Sequence, residues 1–466
     1  MKKKITSFLL VLIVGALIFT GCGFQALQGG PKDSDPVSSN GGLVVQKGNY
    51  LYFVNGYTEI SDLDGEVNKY GDVDFSSLYR TELDSDGNLQ YDEDGKLIAS
   101  VLAPKVVGTE NCSFYIYGSK IYYASPNSEK GTDGEIDYKK TDFYMSNLDG
   151  THVSRIYKTT VSSTSIDFAF YEIDGTVYLA LYDSSELFVI NCSNKDVKKV
   201  ATGVTGVVFP DESEQHGYVY YTRSSVDEDK VDNGNVLAMA SVVDAEEIDI
   251  QGKNSTFVAK TLKSNTLIYT KKDTNDKSAY YYKAPVEDGK VNLSKAEKIS
   301  FQGYTNAPLI LNFENGNYRG MVTKNESGYL VYVKYTTVLN ENTYEVLNSE
   351  VELTPIAVYG DEVYCYNSDN ELYSVNYKTK ETKKLSNKDD DTLSFSMENN
   401  IDFDGRFVYV YKEYSGDDES GYYLVRIDTT ASEYESKLLG VLQTEHIKTE
   451  DEEDAWKINE PVWFVF

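Results

Sequence analysis

The stretch Ile166-Asp167-Phe168-Ala169-Phe170, Asp174-Gly175, Val177-Tyr178-Leu179-Ala180-Leu181, Asp183-Ser184, Glu186-Leu187-Phe188-Val189-Ile190 decides the fold. Three apolar, aromatic-rich runs are separated by two short breaks of Asp, Gly and Ser. A more polar run ending in Lys198-Lys199-Val200 follows. Such breaks between strand-like runs are hairpin signals. Val, Ile, Phe and Tyr pack well on a pleated, half-buried surface. The unit therefore reads as an antiparallel sheet whose last strand is polar.

The unit recurs. Ile356–Tyr359, the turn Gly360-Asp361, Val363–Tyr366, the turn Asp369-Asn370, Leu372–Val375 and Lys383-Lys384-Leu385 repeat the same order. The second strand marks the register at Leu51-Tyr52-Phe53, Ile121-Tyr122-Tyr123, Val177-Tyr178-Leu179, Val219-Tyr220-Tyr221, Leu267-Ile268-Tyr269, Val363-Tyr364-Cys365 and Val408-Tyr409-Val410. The 96 residues between Leu267 and Val363 are twice the usual step, and the runs Pro308–Phe313, Tyr318–Val322 and Tyr329–Tyr335 supply the missing copy. A step of about 45 to 50 residues is that of four-stranded propeller blades. Each sheet has two apolar faces that it cannot bury alone, and stacking around an axis buries both. The expectation is an all-β chain forming a single β-propeller of about eight four-stranded blades, with seven as the alternative count.

The first step, from Leu51 to Ile121, is the longest. It holds Asp84-Ser85-Asp86-Gly87-Asn88 and Asp92-Glu93-Asp94-Gly95-Lys96, read as successive turns of an extended hairpin in the first blade, with Leu78-Tyr79-Arg80 as that blade's third strand. The final run Pro461–Phe466 is strand-like, and its expected role is to complete a blade. The acidic run Glu450–Asp454 before it reads as an exposed loop. The domain reading is a leader over 1–21, a flexible linker over 22–41, and a propeller over 42–466 with an acidic C-terminal segment at 443–466.

Composition supports this picture. There are 40 tyrosines against two tryptophans and only nine prolines. With 44 basic and 74 acidic residues the net charge is −30. Such a charge argues against broad-surface binding of DNA, RNA or anionic lipid, which require basic patches. Cys112, Cys192 and Cys365 each sit in or beside an apolar run and read as buried thiols, with a single unassigned disulfide as the alternative.

At the N-terminus, Lys2-Lys3-Lys4 precede the apolar run Ile5–Gly21, which ends in Phe19-Thr20-Gly21-Cys22. This resembles a bacterial lipoprotein signal, in which the cysteine becomes the lipidated first residue of the mature chain. Phe19 stands where that signal usually has leucine. The alternative is an uncleaved membrane anchor; both place the globular part outside the cytoplasm. Gly29–Asn40 is rich in Gly, Pro, Ser and Asp and reads as the end of a tether. The tyrosine-rich second strands, the turn Asn147-Leu148-Asp149-Gly150-Thr151 and the opening Gly48–Val54 resemble bacterial lipoproteins with a low-density-lipoprotein-receptor-related β-propeller domain of unknown function. The resemblance covers most of residues 42–442 and implies fold rather than activity. The Tyr-Trp-Thr-Asp signature of the receptor propellers is absent; Tyr220-Tyr221-Thr222-Arg223 only echoes it.

Signatures of catalysis are missing from the sequence. There is no G-x-S-x-G elbow, and no propeller-type aspartate box. His152, His216 and His446 do not form a ligand-spaced cluster and read as surface residues. Asp84, Asp86 and Asn88 open like a calcium loop, but Leu89 and Gly95 stand where that loop needs Gly and Glu. Asp167 and Asp402 recur at inner-strand starts, where they line a channel or cap a strand. The expectation is a monomeric, non-enzymatic interaction module without a cofactor. It is held to a membrane through Cys22 and binds a protein, peptide or glycan. The competing readings are an enzyme or glycan-processing protein with its site in the channel, and an assembly or sensor subunit docking on a membrane partner.

Overall fold

The computed structural model describes residues 29–458 apart from a set of internal stretches, the longest of them 60–75. The leader, Cys22, the linker up to Gln28 and the tail from residue 459 lie outside the described residues. Within them, eight antiparallel sheets follow one another along the chain, with a separate two-stranded hairpin, Thr444–Lys448 with Asp454–Ile458, behind them.

The deciding stretch is the third sheet. Ile166–Ile173, Thr176–Asp183, Glu186–Asn191 and Val197–Thr202 pair in chain order. The first ladder runs unbroken from Ile166↔Asp183 to Ile173↔Thr176, so the Asp174-Gly175 turn sets its register. Every residue that marked a second strand lies in the second of the four repeated strands of its sheet, and the weak copy is there too, as Asn317–Lys324 of the sixth. Leu78-Tyr79-Arg80 lies in Ser76–Glu82 of the first sheet, as its spacing predicts.

These sheets are blades of a ring because each shares its core with the next. Val54 and Leu78 of the first pack with Phe114 and Ile121 of the second. Phe143, Phe168, Leu187, Val219 and Ala238 join the second, third and fourth. Tyr220 and Met239 meet Phe257 and Leu267, and Ile268 and Ile299 meet Tyr318. Val322 and Leu347 meet Val363 and Val375. The last cluster closes the circle: Tyr364 and Leu372 of the seventh blade, Val408 and Leu424 of the eighth, and Leu51 and Phe53 of the first share one core. The count is eight. Closure also uses backbone, since Thr58 and Glu59 of the first blade pair with Gly421 and Ser420 of the eighth.

The tyrosines do two jobs in this packing. Their rings fill the seams between blades, and Tyr52, Tyr79, Tyr171, Tyr220, Tyr221, Tyr364 and Tyr409 are fully buried. Some hydroxyls then reach the next blade's backbone. Tyr220 donates to Gly289 O at 2.7 Å, Tyr117 to Phe170 O at 2.6 Å and Tyr52 to Leu148 O at 3.5 Å. Phenylalanine could fill the seam but would lose those bonds from one blade to the backbone of the next.

The third strand of most blades ends in a residue whose side chain folds the following turn. Asn191 Oδ1 accepts the amides of Ser193 and Asn194, Asn376 Oδ1 those of Lys378 and Thr379, and Asp428 Oδ1 that of Thr430. Asp428 also receives Arg406 Nε and Nη2 at 3.0 and 2.6 Å on its other oxygen. The Arg406 bonds hold its carboxyl down to about 2, from an ordinary 3.8. A lowered folded-state value stabilises the fold above the unfolded value and is lost as pH falls through the folded one. Because the Arg406 side chain is 45% exposed, solvent screening reduces this to about 1 kcal/mol. Asp428→Asn should cost that much at pH 7, the difference shrinking as pH falls from about 4 through 2 and gone only below about pH 1, in acid titrations of denaturant midpoints.

Candidate functional site

In each blade the first strand is innermost and the fourth outermost. Phe114–Tyr117 is wholly buried, whereas Val197–Thr202 is largely exposed. One face of the ring, the turn face, carries the links between first and second and between third and fourth strands. Several of these are two-residue turns such as Gly118-Ser119 and Asp174-Gly175. On the opposite loop face the second strands end and the third begin, as Tyr218–Val226 and Asp232–Ser241 do, and there each described fourth strand leaves for the next blade.

The site that the sequence does not announce lies on the turn face of blades one and two. The segment read as a tether is folded there from Gly29 onward, which corrects the linker boundary at 41. Val37 and Ser38 pair with Lys47 and Gln46 along the inner edge of the first blade, adding a fifth strand toward the axis. Asn40 behaves as a strand partner for the second blade: its Nδ2 donates to Ile116 O at 3.0 Å and its Oδ1 accepts the Ile116 amide at 2.7 Å. Gly41, at φ +85°, lies flat on the Tyr115 ring, where a Cβ would come within 2.7 Å of a ring carbon.

Two buried cations hold the segment. Lys47 is 1% exposed, and its Nζ donates to the carbonyls of Asp33 and Asp35 at 3.1 and 3.0 Å. Arg80, 3% exposed, donates to Gly29 O at 3.0 Å and to Leu148 O in the second blade at 3.2 Å, with its guanidinium over the Tyr50 ring. Buried cations need partners, and here backbone carbonyls of the N-terminal segment supply part of them. The segment's own composition hides this, because backbone acceptors leave no pattern in side chains. The only legible trace is a lysine and an arginine inside strands that otherwise alternate toward a core.

The remaining sequence candidates are dispersed. Cys22, Cys112 and His216 lie outside the described residues, and nothing of the His446 or Asp402 side chains is described. His152 is an exposed turn residue at φ +55°, with Nδ1 2.8 Å from Asn147 Nδ2 and 3.0 Å from Thr151 Oγ1. Cys192 and Cys365 are buried free thiols on blades three and seven, and burial pushes both thiols up. Asp84 folds its own turn, its Oδ1 accepting the amides of Asp86 and Asn88 and its Oδ2 the Asn88 side chain. Those oxygens serve the hairpin, and among the described residues no three His, Cys, Asp or Glu side chains converge as a metal site. Asp167 accepts the Phe168 amide at 2.9 Å within the first strand of blade three. Pro461–Phe466, read as completing a blade, lies outside the described residues, and the closure described above is made by blades one, seven and eight.

No family model and no curated protein matches the chain. Solved structures do. A prolyl endopeptidase matches at 12% identity over 74% of this chain and 52% of its own, with a TM-score of 0.44. Dipeptidyl peptidase 4 of Porphyromonas gingivalis matches at 10% over 91% and 64%, with a TM-score of 0.49. Apo AztD of Citrobacter koseri matches at 9% over 83% and 94%, with a TM-score of 0.43. The chain spans about half the length of the endopeptidase. These identities speak to fold alone, and the propeller assignment rests on the sheet order and the closed core.

Among the described residues no helix is long and apolar enough to cross a membrane. Among the described residues the turn-face arrangement pairs no nucleophile with a base. What it can do is mechanical, fastening whatever precedes Gly29 to the hub of the ring.

Proposed function

We propose that the protein is an extracytoplasmic lipoprotein, anchored through lipid on Cys22, whose propeller is a non-enzymatic scaffold binding a protein, peptide or glycan on its loop face. The kinship with low-density-lipoprotein-receptor-related lipoproteins belongs to this reading. The observation that carries it is the seating of residues 29–42 on blades one and two. A segment that begins seven residues after Cys22 is built into the hub, so a pull on the anchor is borne by the rigid part of the fold. The second strands end and the third begin on the far side. Surfaces that vary in loops over a rigid frame are where binding residues gather.

Cys22→Ala should abolish incorporation of radiolabelled fatty acid and move the protein from the membrane to the soluble fraction. Undiminished labelling in that variant would sink the lipid assignment. For the binding role, the immobilised protein should capture defined cell-wall glycans or peptides saturably. Shortening 227–231, which joins Tyr218–Val226 to Asp232–Ser241, should weaken that capture, whereas substituting Ser119 on the turn face should not.

A further inference from the structure

The length of chain between the anchor and the first fastened residue sets an orientation. From Cys22 to Gly29 there are seven residue steps, which span at most about 25 Å when fully extended. Gly29 is not at the periphery. Its carbonyl is bonded to Arg80 Nη2, and a Cβ on it would lie 3.6 Å from the Tyr50 hydroxyl, beside the first turn of blade one on the turn face. The ring's thickness follows from its strands: the seven steps of Thr176–Asp183 rise about 23 Å, to which the turns at either end add. A tether leaving Gly29 would therefore be used up in running along the flank of the ring before the loop face could approach the lipid.

We infer that the turn face of blades one and two is apposed to the lipid surface that holds Cys22, and that the loop face points away from it. The inference rests on the anchored reading proposed above and adds to it a fixed sidedness. It also holds for an uncleaved leader, because the chain between the apolar run and Gly29 is no longer in that case. The consequence is that the partner is met by the loop face, on the side of the ring away from the membrane, while the turn face of the first two blades is shielded by lipid.

The test uses the full-length, lipidated protein in vesicles carrying a headgroup acceptor dye. Asp174 and Ser185 are both exposed and sit at opposite ends of one strand of blade three, the first on the turn face and the second on the loop face. Each is replaced by cysteine and labelled with a donor in a Cys112→Ser background; Cys192 and Cys365 are buried. Energy transfer should be at least about twofold stronger from Asp174→Cys than from Ser185→Cys, given their separation along the strand. Inserting about 30 Gly/Ser residues after Gln28 should bring the two efficiencies together, because such a linker spans about 30 Å on average. Equal or reversed efficiencies in the vesicle-bound, fatty-acid-labelled protein would overturn the orientation alone. Failure of the protein to carry fatty acid and to stay on the vesicles would overturn the anchored reading, and the orientation with it.

Discussion

Gly150→Ala should lower the stability of the ring by about 3–4 kcal/mol, the size of effect expected when a backbone position cannot accept a side chain. Gly150 sits at φ +78°, and a Cβ there would lie 2.6 Å from Leu102 O and 2.9 Å from Leu102 Cα. Leu102 belongs to the outer strand of blade one, so the obstruction is backbone and has no rotamer to escape into. The turn cannot yield either. Asn147 N bonds Thr151 O at 2.8 Å, Gly150 N bonds Asn147 O at 2.9 Å, and Asp149 Oδ1 accepts both the amide and the hydroxyl of Thr151. Leu148 O, one residue before the turn's Asp-Gly, is the acceptor for Arg80 and Tyr52. Displacing the turn would therefore loosen the seam between blades one and two. Gly118→Ala is the control. It has a similar φ of +56° but nothing within 4 Å of the added Cβ, so it should show only the backbone penalty of about 1 kcal/mol. Denaturant midpoints and m-values of the two variants separate the effects. Equal losses would mean that the close approach to Leu102 contributes nothing.

That turn also shows what was legible beforehand. Asn147-Leu148-Asp149-Gly150-Thr151 is visible as a turn because Asn, Asp and Gly each have a local reason to be there. The blades were legible for a related reason: the Val-Tyr and Ile-Tyr pairs of the second strands repeat at one step, and a two-residue side-chain period leaves little freedom of register. The repeated Asx residue at the end of the third strand, at Asn147, Asn191, Asn376 and Asp428, was present in the sequence as well and would have fixed the third strand's end in the same way. The seating of residues 29–42 was not legible. Gly, Pro, Ser and Asp offer little apolar surface, and a segment like Gly29–Asn40 reads as tether by that measure. It is ordered instead by donors from elsewhere in the chain, Lys47 and Arg80, acting on its carbonyls, and by one asparagine that completes a strand edge. Cys22 is the reverse case. Its assignment depends wholly on the leader before it, and the structure adds only what its distance from Gly29 means.

Arg426→Ala should open the ring where it closes, at a cost of about 3 kcal/mol. Arg426 is 5% exposed in the third strand of blade eight. Its Nη2 donates to Gly87 O of blade one at 3.0 Å, and its guanidinium lies 3.4 Å from the Phe407 ring centre and 5.9 Å from that of Tyr409. Arg80 makes the corresponding bond from blade one to Leu148 O of blade two, so the same kind of contact fastens two successive seams. The two seams differ in what else holds them. Blades one and two are joined by continuous chain and by the N-terminal segment. Blades eight and one are far apart in sequence and are held by their shared core, by the pairing of Thr58 and Glu59 with Ser420 and Gly421, and by Arg426. Truncation to alanine removes the charge-assisted bond and both ring contacts and leaves space under Phe407. Arg426→Lys should recover only part of the loss, since a point charge cannot stack on two rings while reaching Gly87. Hydrogen exchange locates the effect. In Arg426→Ala, protection should fall first in Phe407–Ser415, Ser420–Asp428 and Ser76–Glu82, with blades three to five little changed. A uniform loss of protection around the whole ring would show that closure is not the weak point of the circle.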